Sequence, residues 1–214
     1  PMEDAVSFPV LSIGLAVISV LAFQPGGLFR FVWAKILILV VAVLFGVLSP
    51  RSGLVPRTLK VVIGLGAGWI VVAMLFSESP LASLLGRWPR YEGIPTLGLY
   101  VAMFFVGAKI LGGKATAGNW QTLRLSLAAA AVLLLALSGF EAVGLRPIGG
   151  AVGDRTGATL GNATDQGLIG VVIAGVLSAP VGKSAGRGKW LTVLGLASAV
   201  AIVLLSASRA ALAA

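Results

Sequence analysis

The sequence predicts an all-α protein, a polytopic bundle of membrane-spanning helices forming a single transmembrane domain over residues 1–214. Two observations carry this reading. Hydrophobic residues make up 58% of the chain, charged residues 11%, and the mean hydropathy is +1.04, a combination foreign to soluble domains of this length. The 29 glycines and 7% aromatics suit helices that approach closely through small residues better than an outer-membrane barrel with aromatic girdles.

About seven apolar stretches approach the roughly 20 residues that a bilayer requires. The first, 8–23, and the sixth, 166–180, are short, which fits a small tilt or a partly re-entrant element. The second, 31–49, holds Lys35 near its start, where a long side chain snorkels to the interface. The third, 59–77, contains Gly64, Gly66 and Gly68, placed for close helix packing. The fourth and fifth are 95–112 and 123–140. Ahead of the sixth, Asn162, Thr164 and Asp165 are placed to cap its first turn and leave amide donors facing an anion. The seventh, 190–206, runs into Ser206-Ala207-Ser208-Arg209, after which another apolar run starts. With Pro1 rather than Met at its head, the chain is expected to be an internal piece of a longer membrane protein.

Charge sets the expected orientation, because Lys and Arg accumulate in cytoplasmic loops. With the N-terminus inside, the inner loops hold Arg51, Arg57, Lys60, Lys109, Lys114, Arg124, Lys183, Arg187 and Lys189. The outer side holds Arg30, Lys35, Arg87, Arg90, Arg146, Arg155 and Arg209, together with Glu78, Glu92, Glu141, Asp154 and Asp165. Once Glu3 and Asp4 are counted inside, the net charge of +9 divides into +7 inside and +2 outside. Five of the six lysines fall inside, whereas the outer side uses arginine, the residue for bidentate recognition of phosphate or carboxylate. That asymmetry points to an anionic ligand handled on the outside.

The chain has no Cys and no His, so it offers no disulfide, thiol nucleophile or thiolate metal site, and its seven acids are scattered singly. No metal or cofactor is expected, and no nucleic-acid partner.

Three outer segments bear chemistry. Gly86-Arg87-Trp88-Pro89-Arg90-Tyr91-Glu92-Gly93 combines two arginines, an acid and aromatics, which fits a sugar or phosphate site and equally an interfacial Trp/Tyr anchor. A connection of about 25 residues from Glu141 to Gln166 contains Arg155 and a dense set of glycines, and loops of this length tend to be functional or disordered. The third is Ser208-Arg209, a charge between two apolar runs that has no easy route to bulk water.

In this order the segments resemble the O-antigen ligase and polymerase-like family of bacterial polysaccharide assembly. The matching elements are Arg90-Tyr91-Glu92-Gly93, then Arg155-Thr156-Gly157-Ala158-Thr159-Leu160-Gly161-Asn162, then Ser208-Arg209-Ala210. The resemblance spans roughly residues 85 to 214, and the first three spans match only as generic membrane helices. Ala163-Thr164-Asp165 stands where the family has Pro-Asn, and Ile94-Pro95 replaces an aliphatic pair.

The resemblance implies a GT-C-like architecture in the cytoplasmic membrane. It also implies transfer of a glycan from an undecaprenyl-diphosphate carrier to a hydroxyl of a lipid or glycan acceptor on the outer face. It further implies that the chain stops before a large outer loop bearing the catalytic histidine, so that residues 1–214 alone are inactive. Arg209 and Arg155 would then meet the diphosphate, Arg90 the diphosphate or sugar, and Asn162 would be a structural cap. A polymerase of the same family is the nearest alternative. A transporter or flippase would instead show an internal repeat, broken helices and intramembrane ionisable residues, and an accessory subunit would leave the loop arginines without a role. Gly182-Lys183-Ser184 does not complete a phosphate loop, because Leu177 occupies the position where the first glycine belongs.

Overall fold

The computed structural model describes residues 7–23, 32–50, 55–86, 93–112, 117–145, 147–148, 156–179 and 187–208. Among them the chain is all-helical: α1 (Phe8–Leu21), α2 (Trp33–Leu48), α3 (Arg57–Leu75), α4 (Pro80–Leu85), α5 (Ile94–Leu111), α6 (Ala117–Ala142), α7 (Ala163–Ser178) and α8 (Arg187–Ser206), with a 3-10 turn at Ala158–Leu160. Proline and glycine punctuate them as their backbones require. Pro9, Pro80 and Pro95 sit in first turns, where a missing N–H loses nothing, and Pro56 immediately precedes α3. Gly86 ends α4 with φ +82°, a left-handed conformation that glycine enters freely.

Each expected apolar stretch is a helix, but four of them are long and apolar enough to cross a membrane: α3, α5, α6 and α8 over Gly188–Ser206. These mark the chain as a membrane protein. The remaining apolar helices, α1, α2 and α7, have 14, 16 and 16 residues. For α1 and α7 that shortness was expected; for α2 it was not, since the apolar run continues through Phe31 and Val32 ahead of the helix start at Trp33. The short α4 was not expected at all.

Antiparallel pairs α1–α2 and α7–α8 are joined by parallel contacts of α6 with α1 and α8, and α2 touches α5, also in parallel. The main core joins Ala128, Ala131 and Leu134 of α6 to Ile173 and Leu177 of α7 and Ala199 and Ile202 of α8. A smaller cluster joins Ile13 of α1 to Val106 and Ile110 of α5. Where lipid is as apolar as leucine, close backbone approach replaces hydrophobic burial as the source of helix association. Gly195 shows this best. A Cβ there would lie 2.5 Å from both Cα and Cβ of Ala128. Gly46 is likewise closed off by Val106 and Ser12, and Gly170 by Val203 at 2.9 Å and the Ala199 carbonyl at 3.0 Å.

The third helix departs from the expectation of close packing. None of its residues is buried, and nothing lies within 4 Å of a Cβ placed on Gly64, Gly66 or Gly68. Its main contact with the other elements is through α4, so its glycine face meets no neighbouring helix among the described residues.

Polar side chains fasten the helix ends. Lys35 does not snorkel away from the bundle: its Nζ donates to the carbonyls of Val20 and Ala22 at 2.8 Å and of Ser19 at 3.3 Å, closing the negative C-terminal end of α1. At the opposite end Lys109 Nζ donates to Val47 O at 2.8 Å, and Arg124 Nη2 to Leu177 O at 2.9 Å. The end where α1, α6 and α8 finish and α2, α5 and α7 begin is called the distal end below.

Candidate functional site at the distal end

The expected long connection from Glu141 to Gln166 is shortened at both ends in the structure. Helix α6 continues through Glu141 to Ala142, the 3-10 turn occupies 158–160, and α7 is already under way at Gln166. The sequence pattern missed this because Glu141 and Gln166 are polar residues at the edges of apolar runs, which read as loop. Burial reverses the reading: Glu141 is 7% exposed and Gln166 fully buried.

Their partners explain how polar groups are tolerated there. Glu141 Oε2 accepts from the backbone N–H of Gly157 at 2.7 Å and of Ala158 at 2.9 Å. Two successive amides meeting one carboxylate oxygen form a small anion-holding nest. Gln166 Nε2 donates to Ser138 Oγ at 2.8 Å and to Thr156 Oγ1 at 3.1 Å, and Thr156 Oγ1 in turn donates to Leu205 O at 3.3 Å. Ser138 lies one turn before Glu141 on the same helix and donates back to Leu134 O at 2.7 Å. Thr159 Oγ1 donates to Val20 O at 2.8 Å. The segment 156–160 is thereby tied to α1, α6, α7 and α8.

Strain is concentrated at the same place. Ala158 has φ +40° and Ala207 φ +47°, left-handed conformations that disfavour a Cβ by about 1 kcal/mol or more. Ala207 closes α8 with its N–H on Leu204 O at 3.1 Å, and Ser206 Oγ accepts from the Ser208 N–H at 3.3 Å. Non-glycine residues persist in such conformations only where their surroundings over-determine them, and such sites cluster at functional positions. Two acceptors remain over: among the described residues Glu141 Oε1 and Gln166 Oε1 are buried without a hydrogen-bond partner.

Of the residues expected to bind substrate, Asn162 is described. It is the N-cap of α7, its side-chain oxygen accepting from the Thr164 N–H at 2.9 Å, with Asp165 in the first turn. Arg90, Arg155 and Arg209 lie outside the described residues, as does Gly182-Lys183-Ser184. Thr156 and Ser208, which adjoin Arg155 and Arg209 in sequence, are described. Thr156, next in sequence to Arg155, bonds to Leu205, four positions before Arg209, so the second and third expected segments arrive at one end of the bundle. Gly93, which closes the first segment, caps α5.

A groove of about 400 Å³ lies between α2 and α5 in the half nearest the distal end, lined by Trp33, Ile36, Val40, Thr96, Leu99 and Ala102 among others. Its walls are mostly apolar. Among the described residues no three His, Cys, Asp or Glu come together as a metal site. No protein-family model, curated protein or solved structure matches the chain.

Proposed function

We propose that this chain is part of an O-antigen ligase-like glycosyltransferase with about seven spans and a GT-C-like architecture, lying in the cytoplasmic membrane with its N-terminus inside. It moves a glycan from an undecaprenyl-diphosphate carrier to a hydroxyl on a lipid or glycan acceptor at the outer face; a polymerase of the same family performs the same chemistry on a growing chain. In that orientation the distal end faces outward. The observation that supports the reading most is the joining of Thr156, the residue after Arg155, to Leu205, four positions before Arg209, at one end of the bundle.

The chemistry asks little else of these residues. The bond from the anomeric carbon to the diphosphate oxygen breaks, a bond from that carbon to the acceptor oxygen forms, and the acceptor's proton passes to a base. The lipid diphosphate leaves with the charge it gains. Arg209 and Arg155 stabilise that charge, Arg90 holds diphosphate or sugar, and Asn162 fixes the start of α7. The base comes from outside residues 1–214. The groove between α2 and α5 supplies an apolar wall for the carrier's hydrocarbon chain.

The transporter alternative calls for ionisable groups near the bilayer midplane and broken helices. Among the described residues the one buried charge, Glu141, is the second to last residue of α6; half-buried Lys35 is the third of α2 and half-buried Arg124 the eighth of α6, and α6 runs unbroken for 26 residues. The deciding experiment is a transfer assay on the protein in its native membrane with Arg209→Ala. Loss of transfer at normal expression supports the site, whereas normal transfer removes Arg209 from it.

A further inference from the structure

Glu141 reaches from the last turn of α6 to the backbone amides of Gly157 and Ala158, one carboxylate oxygen accepting from both. The place of these amides shows what the contact holds. Gly157 lies two residues after Arg155, Ala158 is the residue with φ +40°, and the other side-chain ties of this turn among the described residues, Thr156 to Leu205 and to Gln166 and Thr159 to Val20, are neutral hydrogen bonds. Removing the Glu141 contact releases two amides at once from the strained centre of the turn.

We infer that Glu141 is a positioning residue, fixing the turn at Gly157-Ala158, which follows Arg155 in sequence, so that binding of the carrier diphosphate depends on its contact. This assignment rests on the glycan-carrier reading above. Its working property is reach. Glu141→Gln keeps the side-chain length and an acceptor oxygen for both amides while removing the charge. Glu141→Asp keeps the charge but withdraws the carboxylate by one carbon–carbon bond, about 1.5 Å, enough to break bonds that are 2.7 and 2.9 Å long.

The test measures two things on purified wild type, Glu141→Gln and Glu141→Asp. One is hydrogen exchange of the Gly157 and Ala158 amides, and the other is binding of undecaprenyl diphosphate. The expected result is slow exchange and unchanged binding in Glu141→Gln. In Glu141→Asp, exchange should quicken about tenfold or more and binding should weaken by a similar factor, as hydrogen bonds of this kind imply. Slow exchange in Glu141→Asp overturns the assignment, because the turn is then held by other contacts. Quickened exchange with unchanged binding also overturns it, since the turn would position nothing that the carrier feels. If the wild type does not bind undecaprenyl diphosphate, the carrier reading falls and the assignment falls with it, even where the exchange pattern confirms the hold on the turn.

Discussion

Thr159 and Val20 lie 139 positions apart in sequence and meet at 2.8 Å, the threonine hydroxyl donating to the backbone carbonyl at the end of α1. The same carbonyl accepts from Lys35 Nζ at 2.8 Å. One oxygen therefore joins α1 to α2 and to the turn ahead of α7. Thr159→Val keeps the shape and removes the donor. The carbonyl retains Lys35, so the expected loss is about 1 kcal/mol of stability, read from thermal unfolding in detergent.

Lys35 is the stronger of the two. Its ammonium serves the carbonyls of Ser19, Val20 and Ala22, and Lys35→Met leaves the C-terminal end of a helix without its cation. A loss of about 1.5–3 kcal/mol is expected, from charge-assisted bonds and the helix dipole together. Because Lys35 and Thr159 share an acceptor, the double variant should depart from the sum of the singles by about 0.5 kcal/mol or more. Strict additivity in a double-mutant cycle would show that the shared carbonyl does not couple them.

The helices were legible in the sequence because apolar runs of bilayer length leave few alternatives, and the cap at Asn162 was legible because a side-chain oxygen two residues before an amide is a local relationship. The distal cluster was not. Glu141 and Gln166 are 25 positions apart and are joined, among the described residues, through Ser138, Thr156, Gly157 and Ala158, a pairing that arises once α6, α7 and α8 are packed. Nor does a glycine declare its neighbour. Gly64, Gly66 and Gly68 form a regular stripe that meets no helix, whereas Gly195, with no striking pattern around it, lies against Ala128.

Gly195→Ala tests that contact. The added methyl would stand 2.5 Å from Ala128 on α6, and both partners lie in rigid helices, so the structure must separate them. Overpacking of this kind destabilises by about 1–3 kcal/mol. Gly66→Ala, with open space around it, is expected to be silent or slightly stabilising in the same unfolding measurement. Equal effects at the two positions would mean that the α6–α8 contact does not govern stability.

Asn162→Ala separates a structural cap from a substrate contact. Loss of the bond to the Thr164 N–H should lower stability by about 1 kcal/mol, and Asn162→Ser or Asn162→Asp should restore it, because both side chains cap well. Under the proposed function, carrier binding by the uncharged cap variant Asn162→Ser should then match wild type. If stability returns while binding stays lost, Asn162 touches the ligand itself.

The groove between α2 and α5 gives the last prediction. Ala102 lines it seven residues beyond Pro95 on α5, roughly 10 Å along the helix from that proline, and Gly98 between them has open space where a Cβ would stand. Ala102→Phe projects a ring into the cavity of about 400 Å³ without adding a polar group, so a helical membrane protein should accept it and still fold. If the groove holds the carrier's hydrocarbon, undecaprenyl diphosphate should bind about tenfold or more weakly, while a water-soluble short-chain prenyl diphosphate, which presents the same diphosphate and little hydrocarbon, should bind as in wild type. Equal weakening of both would place the effect at the diphosphate end. Unchanged binding of the long carrier would leave the groove to bulk lipid and confine recognition to the distal polar cluster.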